Sequence, residues 1–188
     1  MEEGIYISQE SYTINILKKF NIFDCNPMNT LMEIGIRLSK FNAREKLDPT
    51  FFKSLVGNLR YLTCTMPGIL FAVGVVSHSM QASSSTNLKV ATRILHYLKD
   101  TIGFGLFYSS STNFSLVRFC DSDYARDTDD RKSTTVFMFF LGDSVISWSS
   151  KKQSIVTLSI CESEYVAATS CMYDAIWLRI LLTELNLS

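Results

Sequence analysis

Histidine is scarce in this chain: His78 and His96 are the only two among 188 residues. The five cysteines, Cys25, Cys64, Cys120, Cys161 and Cys171, stand at irregular spacings, and no two form a CxxC pair. These shortages exclude the usual Cys/His zinc spacings, and most of the cysteines read as small core hydrophobes of a reducing compartment. No excess charge of one sign is present either, with 18 basic against 18 acidic residues. A global basic field, the usual footprint of a nucleic-acid partner, is therefore missing. Long apolar runs are also missing. The longest, Ile69 to Val76, is too short to cross a bilayer, and Glu2 and Glu3 break any signal-peptide pattern. The expectation is an intracellular chain without a membrane partner.

What is abundant is apolar surface to bury. Hydrophobic residues make up 47% of the chain and aromatics 12%, enough for one ordinary domain or two small ones. Charge is spread unevenly: residues 1–100 carry 11 basic and 8 acidic side chains, the remainder 7 and 10. Ordinary surface composition accounts for so mild an asymmetry.

The periodicity divides the chain near Asp100 to Gly103. Before that point a short strand with Ile5 and Ile7 leads into a helix capped by Ser8, with Tyr12, Ile16, Leu17 and Phe20 on one face. A polar connection runs through Gly35 and Lys40 to Asp48. Asp48 then caps a helix, Pro49 occupies its first turn, and Phe52, Leu55, Val56, Leu59 and Leu62 recur at helical spacing. A second apolar helix is predicted over Ile69 to Met80. After the Ser-rich break ASSSTN comes a third, striped by Leu88, Ala91, Ile94, Leu95 and Leu98. Past Gly103 the period shortens. GFGLFYSSSTNFSLVRFCD reads as two strands joined by a polar turn, and STTVFMFFLGDSVISWSS as a hairpin turning at Gly142-Asp143. A last helix covers Ile160 to Leu187. The expected class is α+β, a helical region over 1–101 followed over 102–188 by antiparallel strands with a helix laid on one face.

Carboxylates supply the candidate chemistry. FCDSDYARDTDDRKS places Asp121, Asp123, Asp127, Asp129 and Asp130 within ten positions. Asp121 ends a good strand, and Asp123 shares its face if the strand extends. The other three, beside Arg126, Arg131 and Lys132, read as turn residues with local ion pairs. On the last helix, Ser159 and Glu162 match the capping-box pattern S-x-x-E. Glu164 instead heads the line Glu164, Ala168, Cys171, Ala175, Leu178, Leu182, which would aim it at the sheet near Asp121.

Across nearly its whole length the chain resembles the Pol polyprotein of copia-type LTR retrotransposons. The segments that carry the likeness, in order, are SLVGNLRYLT, ATRILHYLKDT, GFGLFYS, DSDYARDTDDRKST, ISWSSKKQSIVTLSICESEYVAATS and AIWLRILL. The resemblance implies that residues 1–101 correspond to the thumb-like helical end of a reverse transcriptase. It implies that 102–188 correspond to the front half of an RNase H domain, which cuts the RNA strand of an RNA–DNA hybrid with two Mg²⁺ (or Mn²⁺) ions. Asp121 and Glu164 then match catalytic, metal-binding carboxylates, and Asp123 is a neighbouring candidate ligand. Lys151 and Lys152 stand where they would meet nucleic-acid phosphates as point charges.

The departures are as specific. The paired catalytic aspartates of the reverse transcriptase are expected before residue 1, and the third RNase H aspartate on a strand beyond Ser188. Asp174 lies about three helical turns from Glu164 and cannot replace it. Tyr124-Ala-Arg126 stands where the family has Trp-Ala-Gly, Thr135-Val136 where it has Ser-Gly, and Arg126 is placed to compete with a cation for Asp121 or Asp123. The expectation is a Pol fragment inactive as a nuclease. The alternatives are a non-cutting nucleic-acid-binding module, or a protein-interaction module whose last strand and helix leave apolar surface uncovered for a partner or, through the sheet, for self-association.

Overall fold

The computed structural model describes residues 3–33, 35, 36, 38, 48–80, 84–110 and 113–187. Most of the polar connection through Lys40, part of the ASSSTN break and the centre of the turn after Ser110 lie outside the described residues. The chain separates into two compact units, Ile7–Gly105 and Met1–Tyr6 with Leu106–Ser188. The secondary structure mixes helices with antiparallel strands, as the periodicity predicts.

In the Ile7–Gly105 unit, α1 (Glu10–Lys19), α2 (Pro49–Leu62), α3 (Leu70–Ser77) and α4 (Ser85–Asp100) surround one apolar core. Asp48 caps α2 by accepting the Thr50 N–H at 2.9 Å, with Pro49 in the first turn where no intrahelical N–H is needed. The predicted stripe of α2 is buried throughout, and Leu17, Val73, Ile94 and Leu98 of the other helices share its core. Ser84 caps α4 through the Asn87 N–H. The cap expected at Ser8 is not found. Ser8 still belongs to strand β1 (Gly4–Ser8), and Gln9 takes the cap position with no side-chain bond to the helix. The predicted second apolar helix shortens to α3, preceded by a 3₁₀ turn over Pro67–Ile69 that proline favours.

Strand β2 (Gly105–Ser109) pairs with β1, so the two strands read from GFGLFYSSSTNFSLVRFCD are not neighbours. Glycine permits this close pairing: a Cβ on Gly105 would lie 2.2 Å from the Ile7 carbonyl oxygen. The other sheet is an antiparallel meander of β3 (Leu116–Asp123), β4 (Thr134–Leu141) and β5 (Ser144–Lys152). Its hairpin turns at Gly142-Asp143 as expected. Gly142 has φ 57°, and a Cβ there would lie 2.5 Å from the Asn113 carbonyl oxygen, so both backbone and space require glycine.

Helix α5 (Ile160–Glu184) lies mainly on β3. Its buried line is Ser163, Ala167, Cys171, Ala175, Leu178 and Leu182, which meets Phe137 and Phe139 of β4. The first half of that line is small, so the helix backbone can sit close to the sheet. The line differs from the predicted one at its start, where Ser163 and Ala167 replace Glu164 and Ala168. Both lines satisfy helical spacing, and the sheet selects between them. Few charges interrupt α5, so by length and composition alone it meets the criterion for a membrane-crossing helix. No unbroken apolar run marks it in the sequence.

Candidate carboxylate site

The strand alternation of β3 sorts the acidic stretch into two faces. Ser122 pairs in register with Thr135, and Cys120 with Phe137. Leu116 and Arg118 line a cavity of about 440 Å³ with Phe139, Ala175 and Leu182. The even-numbered residues therefore face α5, and Asp121 and Asp123 lie on the opposite face of the strand.

Asp121 is exposed, and its Oδ1 accepts the N–H of Ser122 at 2.8 Å. Asp123 is partly buried. Its Oδ1 accepts the N–H of Thr134, its cross-strand partner. Its Oδ2 is buried with no hydrogen-bond partner among the described residues. Burial pushes the Asp123 carboxyl above its usual range; the Thr134 N–H and the charge of Arg126 oppose that rise, while Asp121 adds to it. Arg126 thus acts electrostatically on Asp123, as its place in the sequence suggested.

Glu164 sits on the first turns of α5 and is partly buried, next to the fully buried Ser163. Glu162 takes the predicted capping-box position, with its carboxylate bonded one residue ahead of the cap. Ser159 Oγ accepts the Glu162 N–H at 3.1 Å, and Glu162 Oε2 accepts the Leu158 N–H at 2.6 Å.

Between the strand end and the helix start stands a residue that sequence reasoning missed, Gln153. Its Nε2 donates to the Ser163 carbonyl at 2.9 Å and to Thr135 Oγ1 at 3.1 Å, with Ser122 Oγ at 3.4 Å. One buried amide thus ties β3, β4 and the first turn of α5 together. Nearby, Ser133 Oγ accepts the Ala125 N–H at 3.0 Å and meets Thr157 Oγ1 at 3.3 Å. Tyr124 donates its hydroxyl to the Leu158 carbonyl at 3.0 Å. A sequence signal for this network existed in the polar residues that follow the apolar strands, but nothing in it named the partners.

The remaining aspartates do turn chemistry, with one addition. Asp127 Oδ1 accepts the N–H groups of Asp129 and Asp130, and Lys152 forms ion pairs with Asp127 and, at 2.8 Å, with Asp130. Burial raises the Asp127 carboxyl, but the Lys152 bond and the two N–H groups outweigh it and hold the group at about 2. Burial likewise depresses Lys152, and its two carboxylate bonds more than reverse that. Lys152, expected at phosphates, therefore has its charge engaged within the fold. Lys151 is exposed.

Among the described residues, no three His, Cys, Asp or Glu side chains gather closely enough to hold a metal ion. The Asp123 Oδ2 is buried without a hydrogen-bond partner among the described residues, and the charge of Arg126 acts on the same carboxyl. These residues do not fit a two-metal centre, which needs carboxylates converging from several elements.

The structure thus defines an α+β chain whose strand-end carboxylates stand apart from a completed metal centre. No family model matches it, and no solved structure matches it. Among curated proteins it is 38% identical to an uncharacterized mitochondrial protein of Arabidopsis thaliana, over 93% of this chain and 72% of that one. It is 36% identical to the retrovirus-related Pol polyprotein from transposon RE1 of the same plant, over 98% of this chain and 13% of the polyprotein. To the Pol polyprotein from transposon TNT 1-94 of Nicotiana tabacum it is also 36% identical, over 97% of this chain and 14% of that protein. The chain belongs to the family of retrovirus-related Pol polyproteins of copia-type transposons, and it spans only a small part of the polyproteins' length.

Proposed function

We propose that residues 102–188 are an RNase H-related segment of a Pol polyprotein, residues 1–101 the helical end of its reverse transcriptase, and that this chain does not cut RNA–DNA hybrids. The observation that carries the reading is an antiparallel three-stranded meander followed by a helix on its first strand, with Asp121 near the end of that strand and Glu164 at the start of the helix. On this reading Asp121 and Glu164 are catalytic and metal-binding by descent, and Asp123 is an auxiliary carboxylate.

The arrangement of the site supports this expectation. Mg²⁺ or Mn²⁺, where bound, would activate water and steady the leaving oxygen of a phosphodiester. That chemistry requires three or more carboxylates around the ions, and the described residues bring no such group together. Burial raises the Asp123 carboxyl above its usual range, against the opposing Thr134 N–H and Arg126 charge. Phosphate contact falls to Lys151, since Lys152 is held by Asp127 and Asp130.

The test is incubation of the 188-residue chain with a labelled RNA–DNA hybrid in Mg²⁺ and in Mn²⁺. No cleavage above the protein-free control is expected. Robust cleavage that disappears in Asp121→Asn and in Glu164→Gln would overturn the proposal.

A further inference from the structure

Helix α5 buries one stripe and leaves the opposite one bare. Tyr165, Met172, Tyr173, Ile176, Trp177 and Ile180 recur along its outer side, at exposures from 44% to 76%. Spacings of three, four and seven keep them on one face over about four turns. The exposed charged side chains of this stretch stand at the two edges of that face, Asp174 three residues from Trp177 and Arg179 three from Ile176, and the exposed Thr169 lies within it, four residues from both Tyr165 and Tyr173. Arg179 itself lines the cavity between α5 and β3. The outer face from Tyr165 to Ile180 is therefore mainly apolar, with Thr169 within it and charge at its edges.

Its size indicates what covers it. Three of the six are aromatic side chains of roughly 150–250 Å² each, and with the three smaller aliphatic ones the stripe leaves, at these exposures, on the order of 700 Å² of surface. That exceeds the ~300–600 Å² of the largest patch on a typical monomer and approaches the roughly 800 Å² that each partner contributes to a stable interface. Asp174 and Arg179 stand at opposite edges of the stripe, so its middle carries no charge that repels a second copy brought against it. Helical ridges of three and four also pack into the grooves of an identical helix.

We propose that two copies of this chain pair through the outer faces of α5, across a two-fold axis near Ile176 and Trp177. Such a contact is isologous, so one patch supplies both halves of the interface. Of the strand and helix surface expected to be uncovered, it uses the helix, and it does not depend on the nuclease-related reading.

Sedimentation equilibrium of the full chain across roughly 1 to 100 µM tests this, because dimers of ordinary affinity dissociate within that range. The expected limiting mass is twice the 21.3 kDa of the monomer. Trp177→Glu with Ile180→Glu should return the mass to the monomer with unchanged far-ultraviolet circular dichroism. Leu158→Glu, which alters an exposed residue ahead of α5, should leave the dimer intact. Should the double variant fail to fold, Trp148→Phe isolates Trp177 as the sole tryptophan. Its emission should then shift to the red on dilution, in step with dissociation. A monomer at every concentration, a dimer that survives in the folded double variant, emission that ignores dilution, open-ended aggregation, or binding to phosphatidylcholine vesicles without a dimer would each overturn the proposal.

Discussion

Replacing Lys152 with Met removes the ammonium that Asp127 and Asp130 share while keeping most of the apolar stem. Asp127 is held at about 2 against an ordinary 3.8. Each tenfold change in proton affinity corresponds to about 1.4 kcal/mol between the two protonation states. The side chains of both partners are largely buried, at 15% and 18% exposure, so solvent screens the pair only in part. The depressed carboxyl contributes about 2 kcal/mol at neutral pH, shared between Lys152 and the N–H groups of Asp129 and Asp130. The Asp130 contact, on a more exposed carboxylate, adds little. Lys152→Met should therefore cost about 1–2 kcal/mol at pH 7. The sign of the pH dependence follows from the direction in which the carboxyl is displaced. Asp127 has its folded-state pKa below its unfolded value, so its contribution is complete above about pH 4 and declines as pH falls toward 2. The deficit of the variant should be about half as large at pH 3 as at pH 7. Urea unfolding followed by tryptophan fluorescence is the assay, because Trp148 and Trp177 both lie in the Leu106–Ser188 part of the chain. Lys151→Met, at an exposed position, is the control and should change little. A deficit below about 0.5 kcal/mol at pH 7, or one equally large at pH 3, would refute the reasoning.

Gln153→Ala should destabilise the same unit by about 2 kcal/mol, because Thr135 Oγ1 and the Ser163 carbonyl lose a buried donor; an unchanged urea midpoint would show that water replaces the amide. The Cys171 thiol is pushed up to about 11, chiefly by burial and then by the neighbouring Cys120. Alkylation at pH 8 read by peptide mass spectrometry should therefore modify the exposed Cys64, Cys120 and Cys161 and spare Cys171 until urea unfolds the chain. Rapid labelling of Cys171 in the native state would contradict its place against β4.

Local chemistry was the legible part of this sequence. Asp48 and Pro49 announced the start of α2, and Ser159 with Glu162 announced the start of α5, because a cap and its partner lie within one turn of each other. Apolar stripes likewise predicted which faces of α2 and α4 are buried. What escaped were choices settled by distant residues. The stripe of α5 begins at Ser163 rather than Glu164, and a helix period of 3.6 tolerates either start; contacts with the sheet and with Gln153 distinguish them. Lys152 finds Asp127 across 25 positions of sequence, a pairing that neither residue's surroundings reveal. Strand β2 prefers β1 at the far end of the chain over its neighbour β3. The face that Asp121 occupies was readable only once the register of β3 against β4 was known.

The most direct test of whether Asp121, Asp123 and Glu164 form a common metal centre is a Mn²⁺ titration of the ¹⁵N-labelled chain by amide NMR. Because the carboxylates do not gather around one position, no saturable broadening shared by the amides of these three residues is expected at micromolar Mn²⁺. Broadening of all three together, saturating at one low concentration and abolished by Asp121→Asn, would contradict the reading of a site that does not assemble.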